Sequence, residues 1–400
     1  MTVSIKPSRA CGVLCAPPSK SAAHRALICA ALSCGAEVKN IEYSEDISAT
    51  LDCLEALGAT VERHENNVFV GGLSPRNIKE CTLNCRESGS TLRFLIPLCM
   101  LSGKKINLTG APRLFERNLK IYEDLAQKNN ILFEKNDRGI TLCGKLQSGE
   151  YDIPGNISSQ FITGLLLALP LLSGDSRINI IGSFESAPYV AMTVDTLKNF
   201  GILVERFGNS YKIKGGQSYT AKDITVEGDY SNAAFLDGFN LLGGEVSVEG
   251  LFDDSLQGDK IYREMYCNLK DGKREFCLAD CPDLAPVMFS LSAALGGAHF
   301  TGTRRLKIKE SDRAEAMRQE LLKFGINVFV GENDVTVESG ALKAPTVVLC
   351  GHNDHRIVMS LTLLCSVTGG KIEGAEAVAK SYPDFFQRIK TLGIEVNYET

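Results

Sequence analysis

The chain lacks the loops by which most enzymes grip a nucleotide. No Gly-x-Gly-x-x-Gly follows a candidate strand and no Gly-x4-Gly-Lys-Ser/Thr occurs, so ATP and dinucleotides are poor candidates for its ligands. Gly-x-Ser-x-Gly, the nucleophile elbow of many hydrolases, is missing as well. No apolar run reaches the roughly 20 residues needed to span a bilayer. The nearest, Phe161 to Leu172, is interrupted by Gly164 and Pro170. Met1-Thr2-Val3-Ser4 opens no charged-then-apolar leader, so the expectation is no export or transit sequence, no membrane partner and a cytoplasmic location. Positive charge is not in surplus. A net charge of −5 at pH 7 argues against a general nucleic-acid binder, which needs a broad basic surface to displace counterions.

Cysteine, in contrast, is abundant at fourteen residues. The cysteines are scattered through apolar segments (Cys29, Cys53, Cys99, Cys365), which predicts buried free thiols in a reducing compartment rather than disulfides. Three Cys-x-x-x-Cys pairs, Cys11/Cys15, Cys81/Cys85 and Cys277/Cys281, lack the two-residue gap and nearby histidines of a zinc site. Neither a metal nor another cofactor is expected. The 44% apolar and 23% charged content is that of an ordinary soluble protein. Four hundred residues exceed a single core, so two domains are expected.

A pattern recurs along the chain: an amphipathic helix stops at Gly or Asn, and two short alternating strands follow. Ala56-Leu57-Gly58-Ala59-Thr60-Val61 leads to Val68–Gly71, Asn130–Phe133 to Ile140–Gly144, Phe200–Val204 to Tyr211–Gly215, and Phe324–Val328 to Val335–Val337. Leu392-Gly393-Ile394-Glu395-Val396 closes the series. The copies start roughly 70 residues apart, with a gap near Cys267 where a degenerate copy would fit, giving six units, three per domain. Alternation within the strands predicts sheets with one exposed face. The predicted crossings between domains are Cys15 to Ser19 and Val226 to Asp229, with the first strand, Val3 to Pro7, returning to the C-terminal half.

Short polar stretches precede apolar helices at several places. Pro18-Ser19-Lys20-Ser21-Ala22-Ala23-His24-Arg25 and Lys307-Ile308-Lys309-Glu310-Ser311-Asp312-Arg313 interleave cations with hydroxyls or carboxylates, as suits a phosphorylated, carboxylated ligand at a helix N-terminus. Glu87-Ser88-Gly89-Ser90-Thr91 offers a glycine for close backbone approach. Ser158-Ser159-Gln160 and Pro282-Asp283-Leu284 read either as plain caps or as ligand groups. His352, Asp354 and His355 could hold a metal, but the adjacent Arg356 argues against one.

These stretches, with Glu116-Arg117, Gly228-Asp229-Tyr230-Ser231-Asn232 and Lys380-Ser381-Tyr382-Pro383-Asp384, resemble the EPSP synthase (3-phosphoshikimate 1-carboxyvinyltransferase) family, in order along nearly the whole chain. The resemblance implies a two-domain α/β (α+β) fold, an inside-out α/β barrel, each domain built of three βαβαββ-type units, with a double crossover hinge. It places residues 16–227 in a shikimate 3-phosphate domain. Residues 1–15 and 228–400 form the phosphoenolpyruvate domain, which closes on substrate. The implied reaction moves the enolpyruvyl group of phosphoenolpyruvate to the 5-hydroxyl of shikimate 3-phosphate, within aromatic amino acid (chorismate) biosynthesis, with no cofactor and as a monomer.

The resemblance also implies residue roles. Ser21 and Arg25 meet the shikimate carboxylate, and Ser158, Ser159, Ser186 and Lys309 its phosphate; Lys20, Gln160 and Asp283 also touch this substrate. Arg313 and Arg356 take the phosphoenolpyruvate carboxylate, where a guanidinium fork can grip both oxygens. Arg117, Gln160 and Lys380 take its phosphate, with Lys20 and Gly89 bordering. Asp283, Glu310 and Lys20 are the catalytic candidates for proton transfer. Gly89 resembles the glyphosate-sensitive type. Departures from the family pattern are Glu87, Asn118 and Arg305. Two rival readings fit the residues less well. UDP-N-acetylglucosamine 1-carboxyvinyltransferase typically has Lys-Asn at Lys20-Ser21 and a catalytic Cys in the loop corresponding to Gly110–Leu119, which here has none. An inactive binding protein of the same fold would have lost the charged motif residues, and the principal ones are present.

Overall fold

Two kinds of helix alternate along the chain, and their composition decides where each lies. In the computed structural model, which describes residues 1–399, helices apolar on every side are buried almost completely, while those with one apolar stripe lie against sheets. Contacts divide the chain into two units, Pro18–Glu227 and Met1–Pro17 with Gly228–Thr400, and each has its own hydrophobic core.

In the 18–227 unit the sequence gives α1 (Lys20–Leu32), α2 (Glu45–Ala56), α3 (Gly89–Cys99), α4 (Pro112–Glu116), α5 (Lys120–Lys128), α6 (Ser159–Ala168) and α7 (Ala187–Asn199). Helices α1, α3 and α6 are the buried kind: every residue of α3 except Ser90 and of α6 except Gln160 is buried. Gly164 lets α6 approach α3, since a Cβ there would run into the Arg93 carbonyl and the Tyr122 hydroxyl. Pro170 ends the apolar run after α6 in a 3-10 turn, Leu169–Leu171. Three four-stranded sheets repeat one pattern, a parallel pair followed by two antiparallel steps. In the first, Ile224–Thr225 runs parallel to Ala36–Lys39, which pairs antiparallel with Asn67–Gly71, itself paired with Thr60–Arg63.

The other unit holds α8 (Tyr230–Leu241), α9 (Tyr262–Lys270), α10 (Ala285–Ala294), α11 (Arg313–Lys323), α12 (His355–Thr368) and α13 (Phe385–Thr391). Here α8, α10 and α12 are the buried kind. Two sheets keep the four-strand pattern. In one of them Thr2–Ile5 fills the third position, between Gly370–Glu373 and Val396–Glu399. The sixth copy is abbreviated. After α9 the chain makes no hairpin, and its sheet is the single parallel pair Glu245–Glu249 with Cys11–Cys15. The copy expected near Cys267 is therefore a helix without its two strands.

The helices that lead to the sheet-edge strands end as their sequences dictate. Gly58, Asn130, Gly201, Gly325 and Gly393 all have φ between 55° and 104°, the left-handed region that these two residue types tolerate. The boundary between units falls two residues beyond Cys15. Ala16 donates its N–H to Glu249 and Pro17 accepts from Asp229, so both stay with the strand pair, whereas Ser19 bonds to Glu227.

Candidate active site

Many of the motif residues lie at the N-termini of buried helices, and each unit forms its own cluster. In the 18–227 unit the caps are neutral: Ser19, Ser88 and Ser158 accept from the N–H groups of Ala22, Thr91 and Gln160. No acidic residue lies in the first turn of α1, α3 or α6. The first turns of these three helices thus carry no carboxylate of their own, which favours an anion at their positive dipole ends.

Side chains at these ends are tightly braced. Arg25 donates to the Thr193 hydroxyl at 2.8 Å and to the carbonyls of Ser21 and Tyr189 at 2.5 and 2.9 Å, with its guanidinium over the Phe94 ring. Burial brings its pKa down to about 10, still a cation at neutral pH. Lys20 donates to Asp46 of α2 at 2.7 Å. Gln160 accepts from Arg93 at 2.6 Å and donates to Ser90 at 2.9 Å, joining α6 to α3. Ser186, before α7, is buried with φ 56°, a left-handed conformation unusual for serine. Gly89 lies beneath Arg117: a Cβ built on it would come within 2.5 Å of Arg117 Nη1.

In the second unit, charge is concentrated around one carboxylate. Asp283 sits in a 3-10 turn, Pro282–Leu284. It accepts from Arg313 Nη1 at 2.7 Å, Lys309 Nζ at 3.0 Å and Arg356 Nη2 at 3.3 Å. Burial opposes its charge, but Arg356, Lys309 and Arg313 outweigh burial and hold the carboxyl well below the usual range. Arg313 is 1% exposed and also donates to Glu310 at 2.6 Å and to Asp354 at 2.8 Å. Burial lowers Lys309, and Asp283 only partly offsets it. Lys380 donates to the Asn353 carbonyl at 2.6 Å. That carbonyl belongs to a strained pair, His352 and Asn353, both left-handed at φ 48° and 51°.

The structure thus groups Lys20, Ser21, Arg25, Gly89, Arg117, Ser158, Ser159, Gln160 and Ser186 in one unit, and Asp283, Lys309, Glu310, Arg313, Arg356 and Lys380 in the other. Asp354, read above as a possible metal ligand, caps α12 through the Arg356 N–H and grips Arg313. His352 bonds Glu320. Among the described residues no cluster of three metal-ligating side chains exists. Asp46 and Thr193, the braces of Lys20 and Arg25, were missed. Asp46 was discoverable, since Ser44-Glu45-Asp46 is a helix-start signature that puts an acid one turn from the cap. Of the departures, Asn118 Oδ1 caps the Lys120 N–H at 2.8 Å, and Arg305 is buried against the Ala279 carbonyl.

A sequence model of the family described as EPSP synthase (3-phosphoshikimate 1-carboxyvinyltransferase) matches residues 5–389. Curated relatives named 3-phosphoshikimate 1-carboxyvinyltransferase include one from Clostridium kluyveri, 41% identical with 99% of this chain and 98% of the relative covered. Another, from Clostridium beijerinckii, is 40% identical over 98% of this chain and 97% of its own length. The fold matches a solved EPSP synthase from Acinetobacter baumannii, with a TM-score of 0.78, 22% identity, and 99% and 100% of the chains covered. It also matches the enolpyruvyl transferase NikO from Streptomyces tendae, with a TM-score of 0.77, 15% identity, and 100% and 98% covered. The fold is that of the enolpyruvyl transferases. The chain belongs to the EPSP synthase family.

Proposed function

We propose that this protein transfers the enolpyruvyl group of phosphoenolpyruvate to the 5-hydroxyl of shikimate 3-phosphate, releasing phosphate, in aromatic amino acid biosynthesis. The observation that carries the reading is the knot around Asp283, where Lys309, Arg313 and Arg356 share one buried carboxylate. Each of these cations is the one assigned to a substrate anion: Lys309 to the shikimate 3-phosphate phosphate, Arg313 and Arg356 to the phosphoenolpyruvate carboxylate. Binding both substrates divides the three cations among new anions. Asp283 then loses the charges that hold its pKa down and rises toward the range in which a base accepts a proton from the 5-hydroxyl.

Proton delivery to the methylene carbon falls to Glu310 and Lys20, the former held by Arg313 and the latter by Asp46. Ser21 and Arg25 receive the shikimate carboxylate, and Ser158, Ser159 and Ser186 its phosphate. The α3 N-terminus at Gly89, with Arg117, Gln160 and Lys380, receives the phosphate of phosphoenolpyruvate. A reducing cytoplasm suits the fourteen cysteines, all free among the described residues. No helix among them is long and apolar enough to cross a membrane.

The test is direct. Mixing the protein with shikimate 3-phosphate and phosphoenolpyruvate should release phosphate and form the enol ether. UDP-N-acetylglucosamine in place of shikimate 3-phosphate should release none. Phosphate release only with the nucleotide sugar, or with neither acceptor, would sink the proposal.

A further inference from the structure

Beneath the Gly89 turn runs a line of buried hydroxyls and one imidazole to which the assignments above give no part. His24 Nδ1 lies 2.8 Å from Thr50 Oγ1, Thr50 Oγ1 lies 2.6 Å from Thr91 Oγ1, and Thr91 Oγ1 lies 2.7 Å from Ser88 Oγ. All four residues are at most 1% exposed. The line links α1, α2 and α3 and ends on the cap of α3, immediately before Gly89.

Each hydroxyl has one proton to donate, and the Asp46 carbonyl, 3.4 Å from Thr50 Oγ1 and 3.5 Å from Thr91 Oγ1, is a poorer acceptor than the neighbouring hydroxyls at 2.6 and 2.7 Å, so the protons run along the line. Thr91 Oγ1 donates to Ser88 Oγ, which also accepts from the Thr91 N–H at 3.2 Å. Thr91 then accepts from Thr50, and Thr50 from an Nδ1–H of His24. The reverse direction would put the imidazole proton on Nε2, a buried atom without a hydrogen-bond partner among the described residues. An orphaned buried N–H is the costlier fault, whereas a bare acceptor is tolerated more often. Burial, and then the charges of Lys20 and Arg25, disfavour a second proton on the ring.

We infer that His24, as the neutral Nδ1–H tautomer, is a positioning residue that drives a one-way hydrogen-bond chain through Thr50 and Thr91 to the Ser88 cap, fixing the Gly89 end of α3 beneath Arg117 for the phosphoenolpyruvate phosphate. The role rests on the assignment of that phosphate to Gly89 and Arg117. Valine at Thr50 or Thr91 keeps the volume but removes the hydroxyl, so it cuts the chain without opening a cavity.

The experiment has two arms. In the intact protein labelled with 15N-histidine, long-range proton–nitrogen correlation should show His24 with a protonated Nδ1 and a bare Nε2, still neutral where an ordinary histidine has already titrated. An Nε2–H tautomer, or titration near the ordinary value of about 6.5, overturns the inference. In the kinetic arm, Thr50→Val and Thr91→Val should each raise KM for phosphoenolpyruvate about fivefold, the loss of one buried hydrogen bond. The KM for shikimate 3-phosphate should stay within about twofold by the same reckoning, and Thr91→Ser should restore the wild-type value. Variants that lose only melting temperature, with phosphoenolpyruvate KM unchanged, also overturn it. Arg117→Ala is the control. If it leaves phosphoenolpyruvate KM unchanged, the phosphate assignment itself has failed, and the tautomer measurement then stands apart from it.

Discussion

A single missing atom at Gly89 sets what the α3 turn can hold. A Cβ there would collide with the Arg117 guanidinium, so Gly89→Ala should act by displacing Arg117, the arginine proposed for the phosphate. Glyphosate, longer than phosphoenolpyruvate and filling the same place, has less room to follow the shifted arginine. We expect it to compete with phosphoenolpyruvate in the wild type. In Gly89→Ala inhibition should weaken at least tenfold, with a smaller rise in KM, since about 1–3 kcal/mol is the usual worth of one methylene in a tight pocket. Equal losses for substrate and inhibitor would contradict this.

Lys20→Met and Glu310→Gln should each slow phosphate release at least about 100-fold, the lower range for a lost proton carrier. Calorimetry should show that Glu310→Gln still binds shikimate 3-phosphate nearly normally. Asp283 makes a pH prediction with a definite sign. Its folded pKa is depressed, so it stabilises the fold above the unfolded value of about 3.9 and loses that contribution as pH falls through the folded one. Asp283→Asn should lower the melting temperature at pH 7, by leaving three cations without their shared carboxylate, and flatten the acid dependence below about pH 4. Inorganic phosphate should raise the melting temperature of the variant more than that of the wild type. Equal responses would dissociate Asp283 from the anion sites.

At the scale of the element, the helices divide the labour. Buried helices present N-termini, and striped helices carry the braces, such as Asp46 on α2, Thr193 on α7 and Arg313 on α11. Much of this was legible in the sequence. The Gly and Asn stops gave the hairpins because left-handed backbone leaves few alternatives, and apolar runs after Ser19, Ser88 and Ser158 gave the buried helices. What stayed hidden were contacts between distant segments. Nothing local in Asp354 says that its carboxylate grips Arg313 of α11, or that Asp283 is shared by three cations. The abbreviated sixth sheet was hidden for the same reason, because Cys11–Cys15 lies far from its partner Glu245–Glu249 in the chain. Ser158 tests the division of labour. Ser158→Ala removes a cap bond to the Gln160 N–H, which should cost about 1 kcal/mol of stability. Because Ser158 is also assigned to the substrate phosphate, shikimate 3-phosphate KM should rise by clearly more than the thermal effect explains; thermal loss with unchanged KM would leave it a plain cap.

For the whole molecule, continuity of chain matters. Residues 18–227 are one uninterrupted stretch with a complete core. Expressed alone, this segment should fold cooperatively and bind shikimate 3-phosphate, more weakly than the full chain because it lacks Lys309 and Asp283, two residues proposed to touch that substrate. A segment that aggregates, or that folds but ignores the ligand, would refute this. The second unit has no such independence. Thr2–Ile5 is flanked in its sheet by Gly370–Glu373 and Val396–Glu399, so this strand must wait for segments made some 370 residues later. During synthesis the middle of the chain can therefore mature first, while the Thr2–Ile5 strand stays unpaired for roughly 20–75 s at about 5–20 residues per second. Throughout that interval the strand is a natural target for chaperones and for any other chain with an open sheet edge.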